Sequence, residues 1–223
     1  FKQVMNDEIK QYFNQYINKI GIENFNYKQE GEHNYIVSTF YCGLDYASES
    51  GFESDAFKSF IDTLMYKVSK YEELTEKSLL IADDARAALL FVEKNFRHSK
   101  LFELLKKTNL KLTDEQHWQL IIDTWTMQEF NTYNGKDKEW REIFNLKKPI
   151  KKLTEKLPEK FTAYRAGEQN GFSWTLSKDK AMWFCNRFKE QFGNIPFFER
   201  EFTRDDALFY TDERNEKEVV ILS

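Results

Sequence analysis

Cysteine is scarce: two of 223 residues, Cys42 and Cys185, are too few and too far apart for a disulfide framework or a thiolate metal site. A reducing, cytoplasmic setting is the simpler expectation. Glycine (8) and proline (3) are also sparse, which excludes collagen-like or linker-dominated chains and favours long helices over an all-β fold with many turns. A surplus of positive charge is missing as well. With 33 Lys plus Arg against 37 Asp plus Glu the net charge is −4, so nucleic-acid binding by bulk charge is disfavoured, while a local basic patch is not. No apolar run approaches the roughly 20 residues that cross a bilayer, no secretory signal pattern is present, and no membrane role is expected. There is no Walker loop, GxGxxG turn or nucleophile elbow. His33, His98 and His117 share no ligand spacing, so no metal is expected.

Aromatic residues are plentiful. Hydrophobic residues make up 41% of the chain and aromatics 17%, including 21 Phe, enough apolar surface to fill a core. Helical periodicity is expected over residues 2–20 (Val4, Ile9, Phe13, Ile17, Ile20), from Asp55 (Phe57, Phe60, Ile61, Leu64, Met65, Val68) and through Leu79 to Val92. One short strand is expected within residues 34–41. Thr113 and Gln116 fit a capping box, after which Trp118, Ile121, Ile122 and Trp125 fall at i, i+3, i+4 and i+7. These tryptophans, with Trp140 further on, read as core anchors.

Composition changes at 147–160, where six lysines, two glutamates and two of the three prolines fall in fourteen positions. A basic surface connector is expected there, between a helical region 1–146 and a strand-rich region 161–223. Strands are expected at Thr162–Arg165, Gly171–Leu176, Pro196–Phe202 and Val219–Leu222. Between the second and third, Ser177 can cap a helix carrying Ala181, Phe184, Phe188 and Phe192 on one side. The expected fold class is α+β, a helical N-terminal region packed on a small split sheet.

Three short segments in that last region carry chemistry: Tyr164-Arg165-Ala166-Gly167, then Gly171-Phe172-Ser173-Trp174-Thr175, then Arg214-Asn215-Glu216-Lys217-Glu218-Val219-Val220-Ile221. In this order, on expected strands, they resemble the Arg, Ser-Thr-Ser-like and Glu-x-Glu signature of arginine-type ADP-ribosyltransferases. More narrowly, they resemble the YRxG, GxSWT and RxExEV pattern of transferase-like proteins from bacteria and their phages. Some of those are toxins of toxin–antitoxin or anti-phage systems. The resemblance covers residues 161–223. It departs from the better-known pattern in placing Trp174 where a central Thr is usual, and in leaving only seven residues between Arg165 and Ser173.

The resemblance implies transfer of ADP-ribose from NAD, bound as a substrate, to a macromolecular acceptor with release of nicotinamide. Glu218 would stabilise the oxocarbenium that forms as the glycosidic bond lengthens, and Ser173 would hold its rotamer. Glu216 would orient or deprotonate the acceptor. Strand alternation puts Glu216 and Glu218 on one side, about 6 to 7 Å apart, with Lys217 pointing away. Arg165 would grip NAD with a planar cation. Gly167 would allow close backbone approach to the carboxamide. Tyr164 or Phe172 would stack on nicotinamide, and Thr175 shares the Ser173 face. The lysine-rich connector tilts the acceptor toward RNA over protein, and the helical region is a candidate site for an antitoxin. Hydrolysis of NAD, or a catalytically inactive binding or immunity module on the same fold, are the alternatives.

Overall fold

In a computed structural model of the chain, the described residues are 25–30, 33–45, 55–128, 136–187, 189 and 193–222. The helix expected over 2–20 and the side chains of Phe57, Phe188 and Phe192 lie outside that description. The fold is mixed, with helices and two antiparallel sheets. None of the described helices is long and apolar enough to cross a membrane. The chain divides into two compact units, Phe1–Leu112 and Thr113–Ser223.

The first unit is not helical throughout. It contains an antiparallel meander of β1 (Phe25–Glu30), β2 (His33–Ser38) and β3 (Cys42–Asp45). The single strand expected over 34–41 therefore stops at Ser38. There the chain turns: Ser38 N–H donates to the Tyr41 carbonyl at 2.9 Å, and Phe40 N–H donates to Ser38 Oγ at 3.1 Å. Next come α1 (Asp55–Thr75), α2 (Ala82–Leu90) and α3 (Arg97–Leu105). Phe60, Ile61, Leu64, Val68 and Tyr71 of α1 are buried, the recurrence of a single apolar stripe.

The second unit begins at the capping box. Gln116 N–H donates to Thr113 Oγ1 at 3.2 Å and Thr113 N–H donates to Gln116 Oε1 at 2.9 Å, starting α4 (Asp114–Thr126) as expected. After α5 (Lys136–Asn145) come β4 (Lys160–Ala166), β5 (Ser173–Thr175), α6 (Lys178–Arg187), β6 (Phe197–Thr203), β7 (Ala207–Thr211) and β8 (Glu218–Ile221). Ser177 caps α6 by accepting from Lys180 N–H at 3.2 Å. The five strands form one antiparallel sheet in the order β6-β4-β5-β8-β7.

That sheet must curl. Its two edge strands, β6 and β7, are joined only by a 3-10 turn, Arg204–Asp206. Such a turn spans roughly 8 Å, whereas a flat sheet would separate those edges by about 19 Å. The inner face closes on Phe161, Ala163, Trp174, Phe202, Ala207, Val219 and Ile221, drawn from all five strands. On the other face Phe209 meets Trp118, Trp125 and Phe144 at 6.5, 6.3 and 6.1 Å between ring centroids. All four residues of β8 are buried because both sides of it are covered.

This packing moves the division of the chain. The expected boundary at 147–160 lies inside the second unit, and α4 and α5 belong with the sheet. The lysine-rich segment is pinned rather than loose. Trp118 Nε1 donates to the Lys148 carbonyl at 3.0 Å, Leu157 is 1% exposed, and Arg204 Nε donates to the Leu157 carbonyl at 2.7 Å.

Candidate active site

The three motif-bearing strands, separated in sequence, are the three central neighbours of the sheet: β4, β5 and β8. Register sets which side chains meet. Ser173 pairs with Val220 and Thr175 with Glu218, so these residues share a face while Trp174 and Val219 turn inward. Glu218 therefore lies on the covered outer face, two residues before Val220, with the α4 aromatics over it.

Glu218 is 4% exposed. Its Oε1 accepts from Ser173 Oγ at 2.5 Å and from Trp125 Nε1 at 2.9 Å. The closest cation to its Oε2 among the described residues is Arg214, whose Nη2 is 3.7 Å away. Two donors thus fix the carboxylate through one oxygen and leave the other toward the loop. Burial raises the carboxyl above its usual range; the Ser173 and Trp125 hydrogen bonds and Arg214 pull against that rise, and Glu216 adds to it.

Glu216 does not reach Glu218 by strand alternation. β8 starts at Glu218, and both Asn215 (φ 56°) and Lys217 (φ 48°) adopt left-handed backbone, so Glu216 belongs to a turn. What joins the carboxylates is Arg214, with Nη2 3.2 Å from Glu216 Oε2 and 3.7 Å from Glu218 Oε2. Thr175 holds this turn: its hydroxyl donates to the Glu216 carbonyl at 2.6 Å and accepts from Ser177 N–H at 3.0 Å. Its role here is to anchor the loop.

Arg165 donates through Nε to the Glu168 carbonyl at 2.6 Å and through Nη1 to the Ser173 carbonyl, closing the β4–β5 turn. Burial lowers its pKa to about 10, partly offset by Glu168 and Glu218, so it stays charged at neutral pH. Gly171 lies directly beneath the guanidinium. Gly167 has φ +106° and gives its N–H to the Pro196 carbonyl at 3.0 Å, so it serves the turn.

The two aromatic candidates separate. Phe172 is 1% exposed, set edge-on to Phe144 at 6.2 Å and covered by the Arg141 guanidinium at 4.8 Å; it is a core ring and cannot stack on nicotinamide. Tyr164 is half-buried and stacks on Phe197 at 6.0 Å with Lys178 at 5.8 Å. A hollow lined by Lys160, Phe161, Thr162, Glu201, Phe202, Thr203 and Asp206 contains none of the site residues.

Two members of the site were not assigned to it from sequence. Trp125 reads there as packing, and only the position of an indole N–H against a buried carboxylate distinguishes it. Arg214 stands within the motif and in the loop 211–215, which the resemblance makes a place of target recognition, but carries no individual role there. Trp125→Phe keeps most of the ring contacts and removes the donor. For a reaction that uses the Glu218 carboxylate, loss of a hydrogen bond to a charged group, about 1.5 to 3 kcal/mol, predicts a fall in kcat of about ten- to a hundredfold. The acid limb of the pH–rate profile should move to higher pH, because a bond that lowers the Glu218 pKa is gone. A kcat loss with no movement of that limb would mean that Trp125 acts only through packing.

No family model, curated protein or solved structure matches the chain.

Proposed function

We propose that the second unit is an NAD-dependent ADP-ribosyltransferase, releasing nicotinamide and passing ADP-ribose to a macromolecule. The observation that carries this reading is Glu218: a buried carboxylate held by Ser173 and Trp125, on the strand next to the one whose Ser173 carbonyl receives Arg165. A fixed negative charge in a water-poor setting does little for a neutral sugar and much for an oxocarbenium. Arg165 supplies a cation for a phosphate or ribose oxygen of NAD, using N–H groups not given to Glu168 and Ser173. Glu216 is the group placed to take a proton from the acceptor. What further supports the reading is that the three motifs fall on adjacent strands of one antiparallel sheet.

The acceptor classes stand level. Lys147 pairs with Asp114 at 2.5 Å and Lys152 with Glu115 at 3.1 Å, which removes part of the charge that tilted the choice toward RNA. Incubation with labelled NAD and a cell lysate, followed by protease or ribonuclease, separates the two. Label released only by protease assigns a protein acceptor, and label released only by ribonuclease an RNA. Nicotinamide release with no labelled macromolecule would instead assign NAD hydrolysis.

Catalysis needs Glu218 ionised. Because burial raises its pKa, activity is expected to fall with decreasing pH through a point above the ordinary carboxylate value of about 4.3. A pH profile of nicotinamide release with no acid limb above that value would contradict this assignment.

A further inference from the structure

We propose that Arg214 is itself an acceptor of ADP-ribose, modified within its own molecule, and that this modification limits turnover. The inference rests on the transferase reading and extends it to a specific site. It starts from where the guanidinium lies: 3.2 Å from Glu216 Oε2, the carboxylate placed to receive an acceptor proton, and 3.7 Å from Glu218 Oε2, the one placed to stabilise the sugar cation. Among the described residues, Arg214 is the cation that pairs with both carboxylates.

The placement is built into the backbone. Between β7 and β8 the chain reverses through Asn215 and Lys217, two non-glycine residues at φ 56° and 48°. Asn215 N–H donates to the Asp212 carbonyl at 3.0 Å, and Lys217 N–H donates to Asp212 Oδ1 at 2.9 Å. On the far side the Lys217 carbonyl accepts from Leu176 N–H at 3.0 Å. Arg214 Nη1 donates to the Gln128 carbonyl at 3.4 Å, directing Nη2 back over the carboxylates. A nucleophile held this way reacts at an effective concentration far above any dissolved competitor.

The step balances without another reactant. The bond between ribose C1′ and the nicotinamide nitrogen breaks, and its electron pair leaves with neutral nicotinamide. A guanidinium nitrogen of Arg214 forms the new bond to C1′, and the proton it loses passes to the Glu216 carboxylate. The product carries the diphosphate of ADP-ribose beside Glu216 and Glu218. Like-charge repulsion and bulk there would hinder entry of the next NAD.

The test uses the intact protein and unlabelled NAD, with nicotinamide release followed in parallel. Intact mass is expected to rise by one ADP-ribose per chain, and peptide fragmentation to place it on Arg214. The modified fraction should grow at a rate independent of protein dilution, and nicotinamide release should slow as that fraction rises. Modification at another residue, a rate proportional to protein concentration, or sustained nicotinamide release with the chain still unmodified at the end of the reaction would each overturn the proposal while leaving NAD cleavage standing. If no nicotinamide is released, the transferase reading falls and the proposal with it.

Discussion

Glu218→Gln is expected to lose nicotinamide release by at least about a hundred- to a thousandfold, the cost of removing a preorganised charge from a developing transition state. The same substitution is expected to leave the melting temperature unchanged or higher at neutral pH. The reason is the sign of the pKa shift. A carboxyl whose folded pKa is raised binds its proton more tightly in the folded state, so its contribution to stability is present below the unfolded pKa and lost as pH rises through the folded one. Gln resembles the protonated form in shape and charge, and it can still accept from Ser173 and Trp125. Thermal melts of both proteins should converge as pH falls through the carboxylate range. A variant that melts well below the wild type at neutral pH would show that Arg214 outweighs burial at this position. A variant that retains near-normal activity would remove Glu218 from the chemistry.

Gly171→Ala should act on NAD binding. A Cβ at position 171 would lie 1.6 Å from Nη2 and 2.0 Å from Cζ of Arg165, so the guanidinium has to leave its place. Its bonds to the Glu168 and Ser173 carbonyls go with it. Losing a charge-assisted contact to the dinucleotide, about 1.5 to 3 kcal/mol, predicts a ten- to hundredfold rise in KM for NAD, with kcat affected less. Calorimetry should show the same weakening of binding. Combining Gly171→Ala with Arg165→Lys should add little to either alone, since both act through one guanidinium. Unchanged NAD affinity in Gly171→Ala would mean that Arg165 serves only to close the β4–β5 turn.

Local signals survived folding where the local pattern was itself the cause. The Thr113–Gln116 capping box, the Ser177 cap and the strands carrying Arg165, Ser173 and Glu218 all stand near their expected places. Long-range consequences were not readable. Nothing local says that the α4 stripe of Trp118 and Trp125 packs on Phe209, and this contact is what places α4 with the sheet and puts an indole N–H on Glu218. β7, Ala207–Thr211, has the alternating burial of a strand but no bordering Gly or Pro to mark it. The left-handed backbone at Lys217 cancels the alternation that would have aligned Glu216 with Glu218, and lysine gives no warning of it.

The most direct measurement is the position of NAD in a crystal of the Glu218→Gln variant, which should bind the dinucleotide without cleaving it. The account predicts a hydroxyl of the nicotinamide ribose within hydrogen-bond distance, about 2.6 to 3.2 Å, of the residue-218 side chain, with Arg165 on a phosphate or ribose oxygen. NAD bound at the Phe161–Thr203 hollow, or with its ribose turned away from position 218, would contradict it.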